Sequence, residues 1–398
     1  MTGSKFLNNC RSKNDDYYTP PEAMEILMPF LEKGIQNPKE SVVIWEPCCG
    51  DNHITNYLKE QGGYKNVIAT DIKTGHDALT YLPSQPIDLI ITNPPFTGKI
   101  KLFERFFRLC IPFAMLVTTR VLGTMSIKHL FRGYFHDLYF VFPGKRIDYI
   151  SSALSKKSKC PFMSFWVLYK LNGGRNENNN NNCIIRNPAS NGLIGKPAHV
   201  PVRKDDKRFV MHPQMWDILV PYLQQADGIT KLYLQNYGHQ LPDFPDEDPE
   251  DDDDPEFMFV EDPRSADMVM MFPPFNVSRI RLTVDFLKEY HDKPLAIYTS
   301  TTLLESCYIL AELNNQIDVL LPIENMHHEP ITTGDEEEIK ITPIRKRKKP
   351  VVSSCWITKN LPNVSGIRLI SLLNPPMLTE TLRQSVRIDP QGIDNQAI

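Results

Sequence analysis

The sequence predicts an α/β protein made of two doubly wound sheets, the second a degenerate copy of the first. Three observations carry this expectation. Short β-rich apolar segments alternate with helical ones in the first half. Four segments of that half recur, in the same order, in the second half. A polar, Asn-rich tract lies between the two halves.

In the first half, "SVVIW" (41–45), "NVIAT" (66–70), "IDLIIT" (87–92), "FAMLVT" (113–118) and "LYFVF" (138–142) read as central strands buried on both faces. Helical stretches such as "ITNYLKEQ" (54–61) and "KLFERFFRLC" (101–110) lie between them, and strands alternating with helices imply a parallel, doubly wound sheet. The repeat is visible in four alignments. "TPPEAMEILMPFL" (19–31) matches "MHPQMWDILVPYL" (211–223), and "IDLIITNPPF" (87–96) matches "ADMVMMFPPF" (266–275). "PFAMLVTTRVLGT" (112–124) matches "PLAIYTSTTLLES" (294–306), and "SFWVL" (164–168) matches "SCWIT" (354–358). Conserved order over several segments points to an ancestral duplication. The expected organisation is a first domain at 1–172, an Asn-rich linker at 173–200 and a second domain at 201–398, which carries the acidic loop "DEDPEDDDDPE" (246–256).

Composition limits the function classes. Apolar residues make up 41% and charged residues 23% of the 398, as in an ordinary globular protein. No window approaches 18 uninterrupted apolar residues and "MTGSKFLNNC" has no apolar run, so neither a membrane span nor a signal peptide is expected. The expected location is intracellular, cytoplasmic or nuclear. Eight cysteines show no CxxC pair and no zinc spacing, so they read as reduced thiols and no metal is expected. The net charge of −4 conceals an asymmetry: residues 1–170 hold 21 Lys and Arg against 15 Asp and Glu, and the remainder is acidic.

In such sheets ligands bind beyond the carboxyl ends of the strands, where "EPCCGDN" (46–52), "TDI" (70–72) and "NPPF" (93–96) fall. Gly50 permits a sharp strand-to-helix turn and close backbone approach to a ligand. Asp71, at the end of the second strand, suits ribose hydroxyls or a helix cap. Asp77 suits an adenine amino group or, again, a cap. The consecutive prolines Pro94 and Pro95 fix a rigid, extended corner, so the Asn93 amide oxygen and the Pro94 carbonyl can be aimed at one point. An exocyclic amino group placed there donates two hydrogen bonds, and its lone pair is freed to attack an electrophilic methyl while Phe96 stacks on the base.

The ordered set "YYTPPEAMEILMPFL", "EPCCGDN", "TDI", "GHDAL", "NPPF" resembles the amino-methyltransferases that use S-adenosylmethionine, especially the DNA adenine-N6 enzymes, over about residues 15–170. The resemblance implies a Rossmann-like, class I methyltransferase fold. It implies that Thr19 and Pro20 close over the cofactor's methionine part, that Glu46, Pro47 and Gly50 form its floor, and that Asp71 holds ribose and Asp77 adenine. Asn93, Pro94, Pro95 and Phe96 would then receive the target base. RNA adenine methyltransferases and protein glutamine methyltransferases share the NPP corner, and cytosine-N4 transfer more often accompanies serine at the Asn93 position.

In the second copy Phe272 stands where the first has Asn93, Glu46 has no acidic counterpart, and no strand-end acid answers Asp71. This half is expected to be a non-catalytic pseudo-methyltransferase, so the chain is an internal pseudo-dimer. Basic loops occupy equivalent places before the last aligned strand: Lys156, Lys157 and Lys159 in the first copy, and Arg345, Lys346, Arg347, Lys348 and Lys349 in the second. They read as arms for a phosphate backbone, with solvated loops or a nuclear localisation signal as the other readings, and the resemblance of "TPPEAMEIL" to the DNA enzymes implies DNA in preference to RNA. A scaffold that binds nucleic acid without catalysis is the alternative from outside the enzyme class.

Overall fold

The computed structural model describes residues 17–95, 98–144, 146–151, 157–158, 163–171, 183–186, 209–210, 213–236, 257–273, 279–306, 309, 313, 318–322, 326–327, 329–330, 351–361, 364 and 366–370. Phe96, Lys156, Lys159, Arg345 to Lys349, the Asn tract 173–182 and the acidic tract 246–256 lie outside these residues. The chain divides into two compact units, Met1–Ile194 and Gly195–Ile398.

The first unit runs β1 (Tyr17–Tyr18), α1 (Pro21–Gly34), β2 (Val43–Glu46), α2 (His53–Glu60), β3 (Asn66–Ala69), β4 (Leu89–Thr92), α3 (Lys99–Leu109), β5 (Phe113–Thr118), α4 (Met125–Arg132), β6 (Leu138–Pro143), β7 (Tyr149–Ser151), β8 (Lys157–Ser158), β9 (Ser164–Tyr169) and β10 (Cys183–Arg186). Seven strands form one sheet in the order β10-β6-β9-β5-β4-β2-β3. All five strands expected from the apolar segments are present. The sheet is mixed, however, because β9 enters antiparallel between β5 and β6. A second correction concerns Cys183–Arg186, which composition assigns to the linker: these residues pair parallel with β6 as an edge strand. The run "CIIR" is short, and the polar flanks on both sides mask its β character.

Both faces of the sheet are covered. Helix α1 starts with Pro21 at its first position, where a missing N–H costs nothing. Its buried stripe is Ala23, Met24, Ile26, Leu27, Phe30 and Leu31. This stripe and α2's Ile54 and Leu58 form one core with alternate strand residues Ile44, Leu89, Ile91, Ala114, Leu116, Trp166 and Leu168. The intervening strand residues meet α3 and α4 on the other face in an aromatic layer. Phe106 packs against Trp45 and Phe113, Phe107 against Tyr169, and Phe131 against Phe140.

The second unit contains β11 (Phe209–Val210), α5 (Pro213–Gln224), β12 (Lys231–Asn236), β13 (Met258–Phe259), β14 (Met268–Phe272), α6 (Arg279–Glu289), β15 (Leu295–Ser300), β16 (Asp318–Pro322), β17 (Met326–His327), β18 (Glu329–Pro330), β19 (Val351–Val352), β20 (Ser354–Lys359) and β21 (Ile367–Ile370). Its sheet order, β13-β12-β14-β15-β20-β16-β21, reproduces the first sheet strand for strand, including the antiparallel insertion of β20. Two short pairs, β11 with β18 and β17 with β19, lie outside that sheet.

The repeat extends to individual hydrogen bonds. The Trp166 indole donates to the Ala23 carbonyl at 2.9 Å, and the Trp356 indole to the Met215 carbonyl at 2.7 Å. Asp88 accepts the Val43 N–H at 2.8 Å, and Asp267 accepts the Lys231 N–H at the same distance. Thr119 N–H donates to the Met163 carbonyl and Thr301 N–H to the Ser353 carbonyl, both at 2.9 Å. Lys170 and Asn360 end equivalent strands with positive φ, 54° and 56°. Each helix also carries an internal proline at the matching place, Pro29 in α1 and Pro221 in α5.

Candidate active site

The carboxyl ends of β2, β3 and β4 bring most of the expected residues of the first unit into one region. After Glu46 and Pro47 the chain turns through Gly50, at φ 49°, and Asn52, at φ 63°, into α2. Gly50 suits that backbone and Asn tolerates it better than most side chains, so "CCGDN" is a sequence this turn can hold. A Cβ on Gly50 would meet nothing nearer than the Tyr18 ring at 3.8 Å, so conformation rather than crowding requires the glycine. Asp71 clamps the loop from β3. One carboxylate oxygen accepts the Gly50 N–H at 3.1 Å and the other accepts the Lys73 N–H at 2.8 Å. The cap reading of Asp71 is therefore realised, together with a tie to the glycine loop that spacing alone did not disclose.

Glu46 is 1% exposed, and its carboxylate accepts a hydrogen bond from the Thr55 hydroxyl in the first turn of α2. Burial is the main reason its pKa rises to about 8, with the Asp71 charge adding to the rise and the Thr55 bond opposing it. Glu46 therefore holds its proton at neutral pH. Burial also pushes the adjacent thiols up, Cys48 to about 12 and Cys49 to about 11, so both stay protonated and poorly nucleophilic. Among the described residues no cluster of His, Cys, Asp and Glu suits a metal ion. Nor, among them, is any helix long and apolar enough to cross a membrane.

Asn93 leaves β4 at its carboxyl end, followed by buried Pro94 and exposed Pro95. Its amide nitrogen donates to the Thr19 hydroxyl at 3.0 Å. Thr19 and Pro20 are buried because β1 pairs antiparallel with β7, Tyr17 opposite Ser151 and Tyr18 opposite Ile150. That pairing draws the N-terminal segment over the loop, where the Tyr18 ring stacks on His53 at 4.9 Å. Lys157 lies in β8, the third strand of this small sheet.

Asp77 caps its own turn, accepting the Leu79 N–H at 2.9 Å. Arg105 of α3 fastens the same turn through bonds to the Leu79 carbonyl at 2.7 Å and the Tyr81 carbonyl at 2.8 Å. Arg105→Ala is expected to strand both carbonyls and lower stability by about 1–3 kcal/mol in urea denaturation, with Arg105→Lys recovering part of the loss. Equal midpoints for all three proteins would show that the turn is ordered without this residue. Sequence reasoning missed Arg105, Thr55 and Tyr18. Thr55 carried a faint signal, a hydroxyl in the first helical turn after the loop, whereas the other two act through contacts that only the fold creates.

The second unit lacks these features where it is described. In the parallel pairing of β12, Leu234 occupies the place of Glu46. Phe272 is 1% exposed and packs against Tyr298 at 5.5 Å and Trp356 at 5.8 Å, so the position of Asn93 has become part of the core. One expectation needs correction. Asp262 follows β13 and accepts the Arg264 N–H at 2.9 Å, while its carbonyl accepts from Ser265, the same turn that Asp71 makes with Lys73 and Thr74. The second unit thus keeps a strand-end aspartate, which "EDPRSAD" conceals because the intervening segment is much shorter than in the first copy.

No protein-family model matches the chain, and no curated protein matches it. Among solved structures it is similar to a candidate class I S-adenosylmethionine-dependent methyltransferase from Listeria monocytogenes, at 18% identity over 47% of this chain and 70% of that one, TM-score 0.30. It is also similar to a modification subunit of a candidate type I restriction enzyme from Vibrio vulnificus, at 12% identity over 42% of this chain and 47% of that one, TM-score 0.26. A third is a dimethyladenosine transferase from Plasmodium falciparum, at 14% identity over 38% of this chain and 62% of that one, TM-score 0.26. The chain spans less than two thirds of the length of the latter two.

Proposed function

We propose that the first unit transfers a methyl group from S-adenosylmethionine to the exocyclic N6 of adenine in nucleic acid, DNA in preference to RNA, and that the second is a non-catalytic copy that supports the fold and substrate binding. The observation that carries this reading is the Asn93 corner, fixed by Pro94 and Pro95 at the end of β4 and hydrogen-bonded to Thr19 beside the glycine loop.

The residues present fit the cofactor. Gly50 takes a positive φ with the Tyr18 ring at ordinary contact distance from its Cβ position, Asp71 follows β3 with its carboxylate tied to that loop, and Glu46 is a buried acid at its base. In this reading Glu46, Pro47 and Gly50 form the floor, Asp71 holds ribose, Asp77 adenine, and Thr19 and Pro20 close the methionine end. When bound, S-adenosylmethionine supplies an electrophilic methyl. The Asn93 amide oxygen and the Pro94 carbonyl accept the two amino hydrogens of the target and orient its lone pair, while Phe96 stacks on the extruded base. No general base of shifted pKa is needed, since the proton is lost to solvent after the nitrogen has become positively charged. In this reading the basic clusters Lys156, Lys157, Lys159 and Arg345 to Lys349 supply phosphate contacts.

The test is incubation of the full chain with labelled S-adenosylmethionine and separate pools of duplex DNA, single-stranded DNA and RNA, followed by digestion to nucleosides and mass spectrometry. N6-methyladenine is expected, most of it from DNA. The same product from RNA alone would reassign the substrate. Cofactor binding with no methylated base in any pool would overturn the nucleic-acid assignment, and no cofactor binding would favour the scaffold.

A further inference from the structure

We infer that Thr19 is a positioning residue whose hydroxyl, as the hydrogen-bond partner of the Asn93 amide, anchors that side chain in place for the target amino group; this rests on the reading of Asn93 given under Proposed function. An amide side chain offers a donor edge and an acceptor edge, and a half-turn about its last torsion exchanges them. Only the acceptor edge suits an amino group. With the donor edge presented, two N–H groups confront each other and the target nitrogen loses an orienting partner.

The structure holds one of these states. The Asn93 nitrogen donates to the Thr19 oxygen at 3.0 Å, so in a planar amide the oxygen points away from Thr19. Thr19 itself is 5% exposed and is placed by elements outside the main sheet. Immediately before it, Tyr17 and Tyr18 pair with Ser151 and Ile150 of β7, and Tyr17 meets Tyr149 edge-on at 6.1 Å. Immediately after it, Pro20 and Pro21 open α1, with the Ala23 N–H bonded to the Pro20 carbonyl at 3.0 Å. A β pairing on one side and a proline-led helix start on the other leave the Thr19 backbone little freedom.

The same small sheet continues through β8, in which Tyr149 is opposite Ser158 and Ile150 opposite Lys157. Lys157 is thus one strand removed from the segment that leads into Thr19. Thr19 lies 74 residues from Asn93 in sequence, so only the fold creates this pairing.

The test compares wild type with Thr19→Ser, Thr19→Val and Thr19→Ala for cofactor binding by calorimetry, thermal melting, and kcat and KM for nucleic-acid methylation. The expected ranking follows the oxygen rather than side-chain volume. Thr19→Ser should stay within about threefold of wild-type kcat, and Thr19→Val and Thr19→Ala should fall about 10- to 100-fold in kcat at saturating cofactor, beyond the loss of cofactor affinity that follows from Thr19's place over the methionine end. If Thr19→Val melts early, the Ser and Ala pair still differs by the one oxygen and decides the matter. Wild-type kcat in Thr19→Ala, or a ranking in which Val exceeds Ser, would overturn the inference. A kcat that returns to the wild-type value once Thr19→Ala is saturated with cofactor would also overturn it, by confining Thr19 to the cofactor enclosure. A wild type that methylates nothing would remove both this inference and the function it rests on, and is told apart from the others by the wild-type reaction alone.

Discussion

Asn93→Ala is expected to bind S-adenosylmethionine within about twofold of wild type and to lose methyl transfer by at least about 10²- to 10³-fold, the scale for removing one preorganised polar group from a reacting centre. The separation of the two effects follows from position. Asn93 stands at the end of β4, one strand beyond the Gly50–Asp71 clamp, and its recorded polar contact is with Thr19 rather than with the glycine loop. Side-chain truncation leaves Pro94 and Pro95 to hold the corner, so the backbone acceptor remains and the side-chain amide is removed, both its acceptor oxygen and the nitrogen bonded to Thr19. Calorimetry with the cofactor, alongside nucleoside mass spectrometry, reads both quantities. Retention of full turnover would dismiss the assignment of this corner as the reacting centre.

Glu46→Gln is expected to stabilise the cofactor-free protein above pH 8 while changing it little at pH 5. The sign follows from linkage. The Glu46 pKa rises from 4.5 to about 8 on folding, so across that interval the native protein keeps a proton that the unfolded chain has released. The stability this carboxyl contributes is complete below pH 4.5 and declines as pH rises toward 8. The decline is up to roughly 5 kcal/mol at about 1.4 kcal/mol per pKa unit. Glutamine keeps the shape and cannot ionise, and its amide still accepts the Thr55 hydroxyl. Urea denaturation of both proteins from pH 5 to 9 would show the curves diverging upward in pH. Parallel curves would mean that Glu46 ionises freely in the native state. A buried acid that lowers stability near neutral pH is the kind of residue retained for a site's work, and the variant is expected to bind cofactor more weakly even as it gains stability.

Much of this was legible in the sequence because it is local. The five apolar strands of the first unit, the proline-led α1 and the internal repeat each follow from runs of fewer than fifteen residues. The repeat proves deeper than its alignments. Trp166 and Trp356 reach equivalent helix carbonyls, and Asp88 and Asp267 bind equivalent strand amides. Three things were not legible. The antiparallel entry of β9 depends on which sheet position a returning strand finds, and β10 was hidden by its polar flanks. The retention of Asp262 was concealed by a shortened connection that moves it in register.

The sequence by itself determined the two-unit α/β architecture, the strand-end location of Glu46, Gly50, Asp71 and Asn93, and the replacement of Asn93 by Phe272, since hydrophobic period, turn chemistry and residue identity are properties of neighbouring positions. The tertiary structure alone decided that Thr55 donates to the Glu46 carboxyl, that Asp71 clamps Gly50, that Arg105 fastens the Asp77 turn and that Thr19 faces Asn93. Those pairs lie 9 to 74 residues apart, and their geometry is set by how strands order themselves and how helices close over them.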